Sequence, residues 1–437
     1  MYVYCMAVNA FTVDRVVFLR MNKVPATSVR IDPEIKKQAA AVFDELGIGM
    51  SAGINAFLRA VVREGGMPFK LTCEPEGRNI KKAGNADLNH AFLARRDEFY
   101  TQIEDIEKEV GLYKEAFKNK TVLCNCDDPF ESAFFKYFVL HFEELGLKKL
   151  ICTCYAGSPF AGREYPVESS SNAYKAEVAN LPSSSLLRPD SSLDLEALFE
   201  LEGNTLEYLS GDGDFRSEEC IRLLQEADVV VTNPPFSLFR EYLGQLIQYH
   251  KKFLIIGNMN ASTCKDIFPL FKEDKLWYGV TMHSGDRKFL VPDDYPLKAS
   301  SCGVDELGRR FIRVKGVRWF TNLENARHHE TLPLHCEYNE RDYPKYENYN
   351  AIDVSKTSQI PKNYQGFMGV PITFLDKYSP DQFQICMLAN GNARTNVDPA
   401  VLNQVGYRQH SEDRGGVGII NGERCYARII IRRREHA

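Results

Sequence analysis

Residues 229–242 read VVVTNPPFSLFREY. An apolar run stops at the side-chain amide of Asn233, which is followed by Pro234, Pro235 and Phe236 before a helical pattern resumes. Prolines donate no backbone N–H and have a fixed φ, so they hold neighbouring carbonyls in a set direction as acceptors. An amide oxygen beside a backbone carbonyl forms a two-acceptor clamp whose natural partner is a planar NH₂ group. Phe236 adds a flat apolar surface on which a ring can stack. The ligand so described is an amino-substituted heteroaromatic ring such as adenine. The competing reading of the same residues is an Asn cap leading into a Pro turn.

The elements that must position this stretch follow from the surrounding pattern. TVLCNCDDP, LICTCY, NTLEYLSGDGDF, ADVVVTNPPF and FLIIGNMNA read as strands, separated by helical runs such as FESAFFKYFVLHFEELGLKK and SLFREYLGQLIQYHKK. From 119 to 272 this alternation predicts an α/β fold with a doubly wound parallel sheet, whose functional residues sit at the carboxyl ends of strands. Asn233 falls at the end of the fourth strand. Residues 156–200, rich in Ser and Pro, read as an insertion or long loop. Before the first strand, Phe92, Phe99, Ile103, Ile106 and Val110 share one face of a helix. A catalytic domain is therefore expected over 89–274. Beyond it, 275–437 reads as a mixed or β-rich module with basic clusters RRFIRVKGVR and RIIIRRR. Those clusters fit either solvated edge charges or phosphate contacts.

Residues 26–71 read as a separate unit. TSVRID alternates as a half-buried strand. Asp32 caps a helix with Pro33 at its first position, and Ser51 caps a second helix that ends at REGGMPF. A strand and two helices this short bury little apolar surface alone, which implies an intertwined homodimer. Residues 72–88 read as a polar linker and 1–25 as an upstream extension that is neither signal nor membrane anchor.

The 437 residues are 44% hydrophobic and 26% charged with a net charge of −5, so nucleic-acid contact must come from local basic patches. No apolar run approaches the roughly 20 residues of a membrane span. Twelve cysteines without a secretion signal point to the reducing cytoplasm. Cys124, Cys126, Cys152 and Cys154 form two C-x-C pairs. Alternate strand positions could bring four zinc-binding thiolates together, but the pattern favours small hydrophobes in a buried sheet.

Two resemblances complete the reading. ATSVRIDPEIKKQAAAVFDELGIGMSAGINAFLRAVVREGGMPF resembles the RelB/DinJ antitoxins, ribbon-helix-helix proteins whose paired strands enter the major groove. This implies Ser28 and Arg30 as DNA contacts and a RelE-type toxin as a partner. VVVTNPPF is similar to the [DNS]-P-P-[FYW] signature of amino methyltransferases that use S-adenosylmethionine. FYTQIEDIE, CNCDDPFESAFFKYF, GDFRSEEC, EADVVVTNPPFSLFREYL, KKFLIIGN, VPITFLDKYSPDQFQI and YARIIIRRR together resemble the EcoRI-type adenine-specific DNA methyltransferases. The resemblance implies a Rossmann-like methyltransferase sheet and transfer of a methyl group to a flipped-out adenine in double-stranded DNA, without a metal. Phe99, Tyr100, Thr101, Asp128, Pro129, Phe134 and Asp214 would hold the cofactor. Asn233, Pro234, Pro235 and Phe236 would hold the base. Arg309, Arg310, Arg313, Arg432, Arg433 and Arg434 would meet phosphates in a target-reading module. Three departures stand out: Gln102 replaces a proline, Ser132 replaces a glycine, and the second strand ends ICTCY without a ribose-binding carboxylate, leaving Tyr155 or the loop after it as the substitute. Methylation of RNA bases or protein glutamine, and a regulator with a non-catalytic methylase-like half, are the alternatives.

Overall fold

The computed structural model divides the chain into two units, Met1–Arg78 and Asn79–Ala437. In the first, only residues 36, 37 and 54 are described, so the ribbon-helix-helix expectation with Ser28 and Arg30 lies outside the described residues. The second is described over 101–434, apart from 127, 130–131, 157–172, 182–193, 284–285, 292–301 and 307. Phe99 and Tyr100 also fall outside.

The second unit is a mixed α/β structure built on an eight-stranded sheet. Its centre is β1 (Thr121–Cys124), β2 (Lys149–Thr153), β5 (Val229–Thr232) and β6 (Lys252–Asn258), paired in parallel in the order β2-β1-β5-β6. TVLC and VVVT are buried at every position, as expected of parallel strands covered on both faces. Outside this centre the strands run antiparallel to their neighbours. On one side lie β3 (Tyr174–Val178) and β4 (Thr205–Tyr208); on the other, β11 (Val317–Thr321) and then β7 (Trp277–Tyr278). The sheet is thus mixed, a correction to the all-parallel expectation.

The stretch expected as a loop is also corrected, because β3 lies inside it. Tyr174, Ala176 and Val178 are buried while Lys175 and Glu177 are half-buried, the alternation of a strand with one apolar face. On its other face, Glu177 pairs with Lys149 at 2.6 Å and with Lys175 at 3.0 Å, and Lys175 pairs with Glu207 at 3.2 Å. These cross-strand charges fix register with the neighbours.

Beyond residue 275 the chain also forms smaller sheets. β8 (Asp286–Leu290), β10 (Arg310–Lys315) and β9 (Cys302–Val304) make an antiparallel three-stranded sheet. β12 (Ala351–Asp353), β13 (Phe367–Val370), β17 (Arg428–Arg433) and β14 (Phe383–Ala389) make a four-stranded one, and β15 (Ile419–Ile420) with β16 (Glu423–Arg424) a hairpin. One continuous core joins Leu243 and Phe320 of the large-sheet region to Ile352, Val370, Phe374 and Ile429. Arg318 of β11, 3% exposed, pairs with Asp376 at 2.6 Å just before β14. Among the described residues no helix is long and apolar enough to cross a membrane.

Helix α1 (Ile103–Val110) is held to this sheet by an enclosed carboxylate. Glu109, 0% exposed, accepts from Val280 N at 2.7 Å, Thr281 N at 2.7 Å, Thr281 Oγ1 at 2.5 Å and Tyr113 Oη at 3.0 Å. Gly279 makes room, since a Cβ there would lie 2.2 Å from Glu109 Oε1. Glu109→Ala strands these donors and is expected to cost on the order of 3 kcal/mol, seen as a lower thermal midpoint. Glu107→Ala, exposed on the same helix, is expected to stay within about 0.5 kcal/mol of the parent. Equal midpoints would remove Glu109 as the anchor.

Candidate active site

Asn233 follows β5 directly and is buried, as is Pro234; Pro235 and Phe236 are half-buried. The Pro235 carbonyl accepts from Leu238 N at 2.9 Å, which turns the chain into helix α3 (Phe239–Gln248). Phe236 meets Phe289 of β8 edge to face, with ring centroids 6.4 Å apart. The smaller sheet therefore supplies one wall beside the aromatic ring.

The carboxyl end of β1 adjoins this turn in the sheet, since β1 and β5 are paired. Asn125, 4% exposed, accepts through Oδ1 from Tyr242 Oη of α3, so the helix that follows the Asn-Pro-Pro-Phe turn braces the end of β1. Asp128, 5% exposed, accepts from Tyr174 Oη of β3 at 2.6 Å. Burial, and then the negative charge of Asp128, push the Tyr174 phenol far above its ordinary value, so it acts as a fixed donor. Ser132, in the glycine's place, is the N-cap of helix α2 (Ala133–Leu140), with Oγ accepting from Phe134 N at 3.0 Å and Phe135 N at 3.4 Å. A capping hydroxyl accounts for that departure. Pro129 is buried in the same turn, while Phe134 is 1% exposed and packs edge to face on Trp319 within the core.

After β4 the loop 211–214 folds back on β2, with Ala156 N donating to Asp212 O at 2.8 Å. Gly213 has φ +78°, and a Cβ there would lie 2.1 Å from Cys154 O. Only glycine fits. Asp214 is clamped by Arg216, whose Nε reaches Oδ1 at 2.8 Å and whose Nη2 reaches Oδ2 at 2.5 Å. These bonds hold the Asp214 carboxyl below its ordinary range. Arg216 also reaches Glu241 of α3 at 3.3 Å, joining the loop to the helix. Tyr155, at the end of β2, is 37% exposed.

Three polar atoms near these elements are buried and lack a hydrogen-bond partner: Thr101 Oγ1, Asn125 Nδ2 and Thr153 Oγ1. Asn125 and Thr153 end neighbouring strands whose register pairs Cys124 with Cys152, so they lie side by side on the face that also carries Leu123 and Ile151. Such groups cost free energy unless a ligand or an ordered water satisfies them. Asn125, Thr153 and Tyr174 were not anticipated from sequence; Asn125 and Thr153 stand at strand ends in apolar runs, whereas Tyr174 opens a strand of alternating pattern.

The arginines separate into two sets. Arg309, Arg310 and Arg313 lie on or beside β10; Arg432 and Arg433 lie on β17, and Arg434 follows it. Arg309 Nη2 pairs with Asp305 at 2.9 Å, while exposed Arg313 lies over the Phe311 ring at 5.5 Å and Lys288 over the same ring at 4.7 Å. Arg433 donates to Lys362 O and Arg434 to Pro380 O, and Arg432 reaches Gln384 at 3.2 Å. Arg433 and Arg434 thus hydrogen-bond within their own fold, while exposed Arg432 also lies over the Phe367 ring at 5.9 Å. Cys124, Cys152 and Cys154 are buried and Cys126 half-buried, and among the described residues these thiols form no convergent metal cluster.

The carboxyl edge of this α/β sheet thus gathers the Asn-Pro-Pro-Phe turn, the buried carboxylate of Asp128 and buried polar atoms without partners. Residues 87–434 match the family described as adenine-specific methyltransferase EcoRI, and the chain belongs to that family. It is 44% identical over 356 residues to the Type II methyltransferase M.EcoRI of Escherichia coli, covering 80% of this chain and 98% of that protein. It is 38% identical over 354 residues to the Type II methyltransferase M.MpnI of Mycoplasma pneumoniae, covering 80% of this chain and 98% of that one. Residues 25–98 match the RelB antitoxin family. No solved structure gives a match.

Gly213→Ala is expected to lower the thermal midpoint by an amount equivalent to about 2 kcal/mol or more. Gly211→Ala, with nothing within 4 Å of its Cβ, is expected to leave it within about 0.5 kcal/mol. Equal melting of the two would show that the loop does not depend on this close approach.

Proposed function

We propose that this chain is a site-specific DNA adenine-N6 methyltransferase of the kind that serves a restriction-modification system, with S-adenosylmethionine as methyl donor. The observation that carries the reading is the Asn233-Pro234-Pro235-Phe236 turn at the end of β5 in a chain that spans 98% of a Type II methyltransferase. S-adenosylmethionine, when bound, supplies an electrophilic methyl group on a sulfonium.

In this reading Asn233 Oδ1 and the Pro234 carbonyl accept N–H bonds from the adenine amine, favour a pyramidal nitrogen and stabilise the positive charge that grows on it. The amine becomes cationic before it loses a proton, so no strong base is required of the protein. Phe236 offers the stacking face that an extruded base loses on leaving the duplex. Thr101, Asn125, Asp128, Pro129 and Thr153 surround the cofactor, with Phe99 and Tyr100 preceding Thr101. The buried, unsatisfied atoms of Thr101, Asn125 and Thr153 fit a ligand rich in hydroxyl and charged groups, and Thr153 stands where the ribose-binding carboxylate is missing. Phe134 supports this wall from the core, and Asp214 acts through its Arg216 clamp. The central strands serve as the Rossmann-like part of the sheet.

Target reading is assigned to the parts of 275–437 outside the large sheet. The exposed face of β8 and β10, with Lys288, Phe311 and Arg313, has the cation and aromatic pairing suited to phosphates and unstacked nucleotides. The RelB-like segment is assigned a ribbon-helix-helix unit at 26–71 that dimerises and contacts DNA through Ser28 and Arg30, with a RelE-type toxin as the alternative partner. A cytoplasmic location follows from this substrate.

Incubation with methyl-labelled S-adenosylmethionine and mixed-sequence duplex DNA is expected to give N6-methyladenine. Asn233→Ala should lower the rate by about a hundredfold or more; label only in RNA or protein would transfer the reading to those substrates. Arg313→Ala should reduce the slope of log K against log salt by about 0.9, while Arg433→Ala should leave it unchanged. A reversed order would move the phosphate contacts to β17.

A further inference from the structure

The turn after β11 carries Glu324-Asn325-Ala326-Arg327-His328-His329. Asn325 Oδ1 accepts from Arg327 N at 3.0 Å and His328 N at 3.1 Å, which curls the chain so that residues 324, 328 and 329 converge. Glu324 Oε2 lies 3.3 Å from His328 Nδ1 and 3.5 Å from His329 Nε2. One donor atom from each of the three residues lies within 4.8 Å of the others. Donors about 2.1 Å from a tetrahedral zinc ion stand roughly 3.4 Å apart. The two carboxylate-to-imidazole separations match that spacing.

A second, independent feature points the same way. The remaining nitrogen of each imidazole is already held by a different carboxylate: His328 Nε2 by Asp274 Oδ1 at 2.9 Å, and His329 Nδ1 by Asp381 Oδ2 at 2.9 Å. Carboxylates in this position fix ring orientation and tautomer, and they raise the basicity of the nitrogen left for a metal. His328 is 4% exposed and stacks on Trp277 of β7 with centroids 3.8 Å apart, so its Nδ1 is aimed rather than free to swing.

We propose that Glu324, His328 and His329 form a zinc site with His₂Glu ligation, its fourth position filled by water. None of these residues belongs to the candidate active site, and the methyl-transfer reading does not depend on them. The ion joins parts of the fold that are distant in sequence. Asp274 and Trp277 belong to the edge of the large sheet, the ligands to the turn after β11, and Asp381 to the segment entering β14. Its role is that of a structural clamp between the eight-stranded and four-stranded sheets.

The test is calorimetric titration of zinc into the untagged full-length chain after chelator treatment, with thermal melting alongside. One zinc per chain is expected at a micromolar or tighter Kd, with a higher melting midpoint when loaded. Glu324→Gln and His329→Gln, both at exposed positions, should each weaken binding by about tenfold or more and abolish the zinc-dependent rise in melting. Asp381→Asn, which touches the site only through His329, should weaken it by roughly tenfold. Absence of zinc binding by the parent chain would overturn the proposal. Unchanged binding by Glu324→Gln and His329→Gln would overturn it too.

Discussion

A carboxylate removed from water must be matched by donors or it costs several kcal/mol. Glu109 is completely enclosed, and its donors include two backbone N–H groups some 170 residues further along the chain. The position of α1 is therefore set by electrostatic necessity as well as by the packing of Ile106 and Val110. Because α1 begins two residues after Thr101, the same constraint places that buried hydroxyl. The helix, the loop at 279–281 and the edge of the sheet form one rigid corner around an anion.

The carboxyl edge of the sheet is stiffened by similar means. Tyr242 braces Asn125, Tyr174 braces Asp128, and the Ala156–Asp212 hydrogen bond ties β2 to the loop after β4. Each tie runs from one element to another, so the strand ends are positioned before any ligand arrives. Polar groups held in place in this way need no reorganisation when charge develops nearby, which is the main source of electrostatic catalysis.

How much of this was legible in the sequence depended on how local the code was. The Asn-Pro-Pro-Phe turn is written in four consecutive residues after a continuous apolar run, and the parallel strands are written in their own composition. The strand at 174–178 was hidden because its five alternating residues sit between Ser- and Pro-rich stretches, and its partners at 149 and 207 are remote. Ser132 departs from the pattern of a glycine turn because its hydroxyl caps α2, a role that only the fold reveals. Glu109 gave no sequence signal, since a buried carboxylate and an exposed one on a helix are spelled alike. The basic runs were visible, but not their division: Arg433 and Arg434 spend their guanidinium groups on carbonyls of their own fold, while Arg313 lies over an aromatic ring on an exposed face.

The core that runs unbroken from Leu243 and Phe320 to Ile352, Phe374 and Ile429 bears on how such an enzyme could change its specificity. A recognition module joined through a linker can be exchanged between relatives as a cassette. Here exchange of the four-stranded sheet would expose the flank of the catalytic sheet and unpair the enclosed Arg318–Asp376 contact. On the proposed assignment of target reading to the smaller sheets, a new sequence preference would be reached by substitution on their exposed strand faces rather than by exchange of a whole sheet, because the core they share with the large sheet would be opened by that exchange.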